Sequence, residues 1–279
     1  SDLVAQTFGT EHHQVFIDSG TLLKHLPGCF SAMAEPMVSH DVIGFYLLSQ
    51  EVAKHVKVVQ SGQGADEVFA GYHWYPQVDG AEDPVEAYLN AFRDRSFEEY
   101  ADTVQQQWVK GDFSGDFVRQ HFAQPGADAA VDKALRIDST VMLVDDPVKR
   151  VDNMTMAWGL EARVPFLDHN VAELSARIPA KYKLPDGGKY VLKEAARKVI
   201  PAAVIDRPKG YFPVPGLKHL EGDTLNWVRE LLTDPIQDRG LYNPDMLNKL
   251  INDREGVLKF EAYQVPLPKF RKILESTRN

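Results

Sequence analysis

Apolar and polar positions divide the 279 residues into an α/β opening and a long helical remainder. Asp2–Phe8 has apolar residues at 4 and 8 with 3 and 5 beside them, and Gly9 follows where a helix would end. Gln14-Val15-Phe16-Ile17-Asp18 then predicts a short strand. A helix tail feeding a strand is the second half of an α/β unit, so the sequence reads as opening partway through a domain. Residues 20–30 predict a short helix and Ala34-Glu35-Pro36 a loop. A helix over 42–55 follows, with Val42, Phe45, Tyr46, Leu48 and Val52 near the helical period and Asp41 as its cap. Lys57-Val58-Val59-Gln60 is a compact strand running directly into Ser61-Gly62-Gln63-Gly64-Ala65-Asp66-Glu67. Strand, glycine turn and helix start in that order put residues 61–67 at a strand's carboxyl end, where open α/β sheets hold ligands.

Beyond about residue 80 strand signals are scarce. Helices are predicted over 84–108, 115–124, 128–144, 147–160 and 168–177, and again over 189–200, 223–232, 244–254 and 258–276. The fold class that follows is α/β, a partial parallel sheet over residues 1–80 followed by a mostly helical region over 81–279. No internal repeat, low-complexity tract or flexible linker separates the two, so they are expected to share a core.

Composition narrows the function. Apolar residues at 44% and charged ones at 25% exclude disorder as the main description. Lys+Arg 31 against Asp+Glu 40 gives a net charge of −9, which disfavours general attraction to nucleic acid or an anionic membrane. A phosphate-handling site would have to be local, built from a few basic groups or a metal ion. The single cysteine, Cys29, can form neither an internal disulfide nor a cysteine-based zinc site, and reads as a small buried apolar residue in a reducing compartment. No apolar run reaches the ~18 residues of a membrane span and no signal peptide opens the sequence, so a cytoplasmic location is expected.

Three segments could carry chemistry. In Ser61–Glu67 the glycines at 62 and 64 allow a sharp turn and close approach of a ligand, and the helix start favours anions. Asp66 and Glu67 would repel a phosphate there unless a cation such as Mg²⁺, held by a carboxylate and shared with phosphate oxygens, intervened. A plain turn, with two acidic residues complementing the helix dipole, fits the same spacing. In Asp145-Asp146-Pro147-Val148-Lys149-Arg150-Val151-Asp152-Asn153-Met154, Asp146 suits a cap and Pro147 a first helical turn. There Lys149, Asp152 and Asn153 share one side, as a solvated ion pair or as a polar cluster lining a cleft. In Asp206-Arg207-Pro208-Lys209-Gly210-Tyr211-Phe212-Pro213-Val214-Pro215, three prolines and a glycine preclude an interior helix. That loop either presents a stiffened cation to pyrophosphate or is an ordinary basic turn.

Taken together these segments resemble a known family. Ser-Gly-Gln-Gly-Ala-Asp-Glu-Val-Phe-Ala-Gly-Tyr at 61–72 resembles the SGEGxDExFxGY block of asparagine synthetase-type amidotransferases. Asp145-Asp146 through Lys149, Asp152 and Met154 to Leu160-Glu161-Ala162-Arg163-Val164-Pro165-Phe166-Leu167-Asp168-His169 is similar to that family's signature, and 207–215 to its RPKxGFxVP loop. The resemblance implies an adenine-nucleotide α-hydrolase-type synthetase domain. There ATP adenylates a small-molecule carboxylate, pyrophosphate leaves, and ammonia from a glutaminase domain of the same parent chain displaces AMP. It implies that Asp66 holds Mg²⁺ with the pyrophosphate, that Ser61 and Gly62 border the adenylate beside Gly64, and that Lys209 binds the leaving pyrophosphate. Arg163 and Glu161 are implied to brace the fold.

Two departures stand out. The family's Glu in the first block is Gln63 here, which accepts a hydrogen bond but takes no proton near neutral pH. Gln63 therefore stands at the position of the family's nucleophile-assisting residue, and together with Phe212-Pro213 points toward a subtype such as an N-acetylglutaminylglutamine amidotransferase. The family's SGGxDSS loop and the glutaminase domain with its terminal Cys have no match here. The stretch by itself is therefore expected not to catalyse amidation, and a silent docking or oligomerisation module is the competing reading. The acceptor and homodimerisation are left open.

Overall fold

The computed structural model describes residues 1–17, 19–35, 37, 39, 41–93, 95–207, 225–227, 229–230 and 240–252. Its frame is a two-stranded parallel sheet, β1 (Val58–Gln60) beside β2 (Glu161–Arg163), in the register Val58↔Glu161, Val59↔Ala162 and Gln60↔Arg163. Parallel strands need a crossover, and here the chain between residues 61 and 160 supplies it, mostly as short helices joined by turns. The second strand was not foreseen. Glu161-Ala162-Arg163 has no β-branched residue, and its extended form comes from pairing with β1 rather than from propensity.

Helices α1 (Asp2–Phe8), α2 (Ser19–Ala32) and α3 (Val42–Val52) precede β1. The strand expected at 14–18 does not form over residues 14–17, where Phe16 is 89% exposed. Among the described residues no neighbouring strand offers it a ladder, and an unpaired run has nothing to fix it extended. Asp41 stands at the start of α3 without capping it. Its carboxylate instead accepts from Arg150 at 2.9 Å.

After β1 come the one-turn helices α4 (Ala65–Phe69) and α5 (Tyr75–Val78), then α6 (Pro84–Phe92) and α7 (Phe97–Thr103). The single helix expected over 84–108 is thus divided. Asp83 caps α6, and Ser96 with Glu99 forms a reciprocal capping box that starts α7 afresh. Helix α8 (Phe113–Ala123) follows, then α9 (Ala130–Ile137). From α9 the chain stays helical through widened turns at Asp138–Met142 and Val144–Val148 into α10 (Lys149–Met156). Pro147 was expected to open a helix after Asp146. It lies inside this run instead, where the wider turns accommodate a residue with no amide hydrogen to donate. Beyond β2 stand α11 (His169–Arg177), α12 (Tyr190–Ala196), α13 (Ala202–Ile205) and α14 (Pro244–Asn252). The predicted helix over 258–276 and half of that over 223–232 lie outside the described residues.

Two apolar clusters hold these elements. One gathers Leu22, Cys29 and Phe30 of α2 and Met33 just beyond it with Val42, Ile43 and Leu47 of α3 and Met154 of α10. Within it the Cys29 thiol lies 3.7 Å from the Met154 sulfur, and burial pushes its pKa up to about 12. The other cluster joins α5, α6, α8 and α9 around Tyr75, Val78, Tyr88, Val118, Phe122 and Val131. A fully buried carboxylate, Asp138, sits within its reach, accepting from Trp74 Nε1 at 2.9 Å, from the Tyr75 hydroxyl at 2.6 Å and from the Tyr88 hydroxyl. Burial raises its pKa, and the hydrogen bonds from Tyr75, Tyr88 and Trp74 oppose the rise.

Tyr88→Phe should cost about 1–3 kcal/mol in a denaturant titration, because it leaves that buried carboxylate one donor short. A change within error would show that Asp138 does not tie α6 to α9. At α11 the N-cap Asp168 accepts from the Asn170 amide at 2.9 Å, and that backbone hydrogen bond lowers its carboxyl pKa. A lowered folded-state pKa adds stability above the unfolded value that is lost as pH falls through the folded one. Asp168→Ala should therefore unfold at a lower temperature near pH 7, and the gap should close on acidification below about pH 4.

Candidate active site

Residues 61–64 form the turn between the carboxyl end of β1 and the start of α4. The Ser61 amide donates to the Arg163 carbonyl at 2.8 Å, extending the ladder one step past the strands. Gly64 stands at the start of α4 with φ 90°, and a Cβ there would meet Leu167 Cδ2 at 2.2 Å. Glycine is therefore required on two counts, and the contact sets the first block directly on Val164-Pro165-Phe166-Leu167 of the second. A Cβ on Gly62 would meet nothing within 4 Å, so the backbone there faces open space. Gln63 is half-buried between them.

The two acidic residues of α4 are placed in opposite settings. Glu67 is 1% exposed and accepts from the Tyr72 hydroxyl at 2.6 Å. Burial raises its pKa, the Tyr72 hydrogen bond opposing. Asp66 is only partly buried. Its Oδ1 accepts from Lys189 Nζ at 2.9 Å and lies where a Cβ on Gly71 would meet it at 2.1 Å. The repulsion between phosphate and this acidic pair, expected from the sequence, is thus reduced by an internal cation. The helix itself contributes less than expected, because at five residues it sums few peptide dipoles.

Lys189 escaped the sequence reading. The available signal was Asp186-Gly187-Gly188 just before it, a turn that reverses the chain and leaves one lysine at the start of a helix. The other predicted cation, Lys209, lies outside the described residues. So do Tyr211 to Pro215 of its loop. The structure therefore brings together Ser61, Gly62, Gln63, Gly64 and Asp66, and adds Lys189.

The Asp145–Met154 segment makes a cross-chain clasp. Lys149 pairs with Glu35 and, at 3.5 Å, with Asp145. The Glu35 hydrogen bond raises its pKa. Arg150, 8% exposed, meets Asp41, Asp146 and Ser39. Asn153 Oδ1 accepts from the Ala34 amide at 2.6 Å. Lys149 and Asn153 thus hold the stretch before α3 against α10. Asp152 stays exposed. Arg163 and Glu161 pair with each other at 3.3 Å on an exposed strand face, so it is their backbone in β2 that braces the fold.

Among the described residues no three His, Cys, Asp or Glu side chains stand together as a metal site. Asp66 offers one carboxylate, its Oδ1 already paired with Lys189. Such a donor fits Mg²⁺ as an ion shared with phosphate oxygens and does not fit a cage built from protein alone. No helix among the described residues is long and apolar enough to cross a membrane.

The chain is 26% identical to asparagine synthetase (glutamine-hydrolyzing) 1 of Bacillus subtilis, over 89% of this chain and 45% of that protein. It is 29% identical to a putative asparagine synthetase (glutamine-hydrolyzing) of Mycobacterium tuberculosis H37Rv, over 80% of this chain and 40% of that protein. With the human asparagine synthetase (glutamine-hydrolyzing) it shares 23%, over 86% of this chain and 36% of that protein. The chain spans less than half the length of each. The family model described as asparagine synthase matches residues 1–271, a span that takes in the turn, the second strand and the clasp, and the chain belongs to that family.

Proposed function

We propose that this chain is part of the synthetase domain of an ATP-dependent amidating enzyme, fed with ammonia by a glutaminase domain of the same protein. One observation carries the reading. The turn after β1 leaves open backbone at Gly62, and four residues on in the same segment a carboxylate, Asp66, is already matched by a lysine. A polyanionic nucleotide needs both features, room for its phosphates and positive charge within reach of an acidic anchor.

In this reading a carboxylate oxygen of the acceptor attacks the α-phosphorus of ATP, and the bond to the β-phosphate breaks as pyrophosphate leaves. Ammonia then adds to the acyl carbon, and AMP departs with its electron pair. Ser61, Gly62 and Gly64 border the adenylate. Lys209 meets the charge that grows on the leaving pyrophosphate, a preorganised electrostatic role. Mg²⁺, when bound, would neutralise phosphate charge at Asp66. Gln63 orients the nitrogen nucleophile by accepting a hydrogen bond and leaves its proton to another acceptor, which favours a carboxylate other than aspartate, such as that of a dipeptide-like substrate. The reaction uses cytoplasmic metabolites, and a homodimer is compatible with it. A silent docking module would need neither the open turn nor the paired carboxylate.

In the full-length protein carrying this chain, pyrophosphate release should require ATP and a carboxylate acceptor together, with ammonium able to replace glutamine. Asp66→Asn and Lys209→Ala should each slow it by about 100-fold or more. Release that ignores the acceptor, or none with any carboxylate tried, overturns the reading. Variants that run at the parent's rate remove those two assignments.

A further inference from the structure

The chain around Lys189 has an unusual backbone. Asp186, Gly187, Gly188 and Lys189 have φ of 54°, 75°, 94° and 57°, four consecutive residues on the left-handed side. Among the described residues, the non-glycine positions with positive φ are Ala70, Asp186 and Lys189. Lys189 and Ala70 stand at one joint, with Asp186 on the same turn. The Lys189 amide donates to the Phe69 carbonyl at 3.0 Å, and a Cβ on Gly188 would stand 2.0 Å from the Ala70 carbonyl oxygen. Ala70 is itself the left-handed residue that ends α4, the helix carrying Asp66. Tyr190 closes the other side, its amide donating to the Lys183 carbonyl at 3.0 Å. Strained conformations of this kind persist only where surrounding contacts hold them, and they concentrate at functional sites.

We infer that Gly188 is a positioning residue of the site, seating the 186–189 turn on the end of α4 so that Lys189 Nζ lies against Asp66. The inference rests on the amidation reading for the reaction it serves, and on geometry alone for the joint. Any side chain at 188 would strike a backbone carbonyl that cannot rotate away, and the turn would have to lift. Lys189 begins at that turn, so its ammonium would move with it. Gly187 provides the neighbouring comparison. It has the same sign of φ, yet a Cβ there meets nothing within 4 Å.

The test compares Gly188→Ala with Gly187→Ala in the full-length protein. Both add an alanine at positive φ, but only at 188 does the new Cβ meet a backbone carbonyl, and with ψ of 169° Gly188 also lies where almost only glycine is found, so the double variant with Lys189→Met is what separates positioning from strain. Hydrogen exchange at the Lys189 amide should rise about tenfold or more in Gly188→Ala and stay within about threefold of the parent in Gly187→Ala, as expected when one hydrogen-bonded joint opens locally. Acceptor- and ATP-dependent pyrophosphate release should fall about 100-fold in kcat for Gly188→Ala with the acceptor KM little changed, the scale expected for an ångström-sized misplacement. Gly187→Ala should keep most of the parent's rate. Gly188→Ala added to Lys189→Met should slow the reaction no further than Lys189→Met alone, because both act through one ammonium.

Equal exchange in the two alanine variants overturns the joint. Additive losses in the double variant overturn the positioning role and leave a structural one. If the parent itself shows no acceptor-dependent release, the amidation reading fails, while the exchange comparison still decides the joint.

Discussion

Three residues of β1 paired in parallel with three of β2 join segments a hundred positions apart, and the site depends on that pairing. The ladder's last step, from the Ser61 amide to the Arg163 carbonyl, fixes where the turn leaves the sheet. Leu167 then fills the space that Gly64 leaves by having no side chain, and Phe166 meets Phe69 edge to face at 6.4 Å. A short sheet by itself would be marginal. Here it is backed by α10, which leads into β2 and packs Met154 against α2 and α3.

From that anchor the polar interior follows. Every carbonyl at the end of a short helix needs a donor. At α4 the Gly71 and Lys189 amides serve the carbonyls of Asp66 and Phe69, and Ser175 reaches the carbonyl of Val68. Glu67, immediately after Asp66, is turned inward to Tyr72. Adjacent positions on a helix face different ways, which is how two neighbouring carboxylates come to have one buried role and one exposed to the turn.

Much of this was legible in the residues. Val58-Val59-Gln60 followed by glycines announced a strand and a turn, and the order of the three blocks announced the family. What escaped was whatever depends on a distant partner. Glu161-Ala162-Arg163 has no strand propensity of its own, whereas Gln14-Val15-Phe16-Ile17 has it and finds no ladder. Pro147 signals a helix start by local rules, and the wide turns around it override them. Asp41 has the chemistry of a cap but is drawn off by Arg150. Lys189 lay beside an obvious turn, yet nothing local says that the turn docks on α4.

The sulfur pair in the α2–α3 cluster has a practical consequence. With its thiol packed against Met154 and ionising only near pH 12, Cys29 offers almost no thiolate to an alkylating reagent at neutral pH. This stretch of chain is therefore a silent background for maleimide chemistry. A cysteine placed at an exposed position such as Phe16 or Val199 would accept a fluorophore or spin label selectively, with the native residue left untouched.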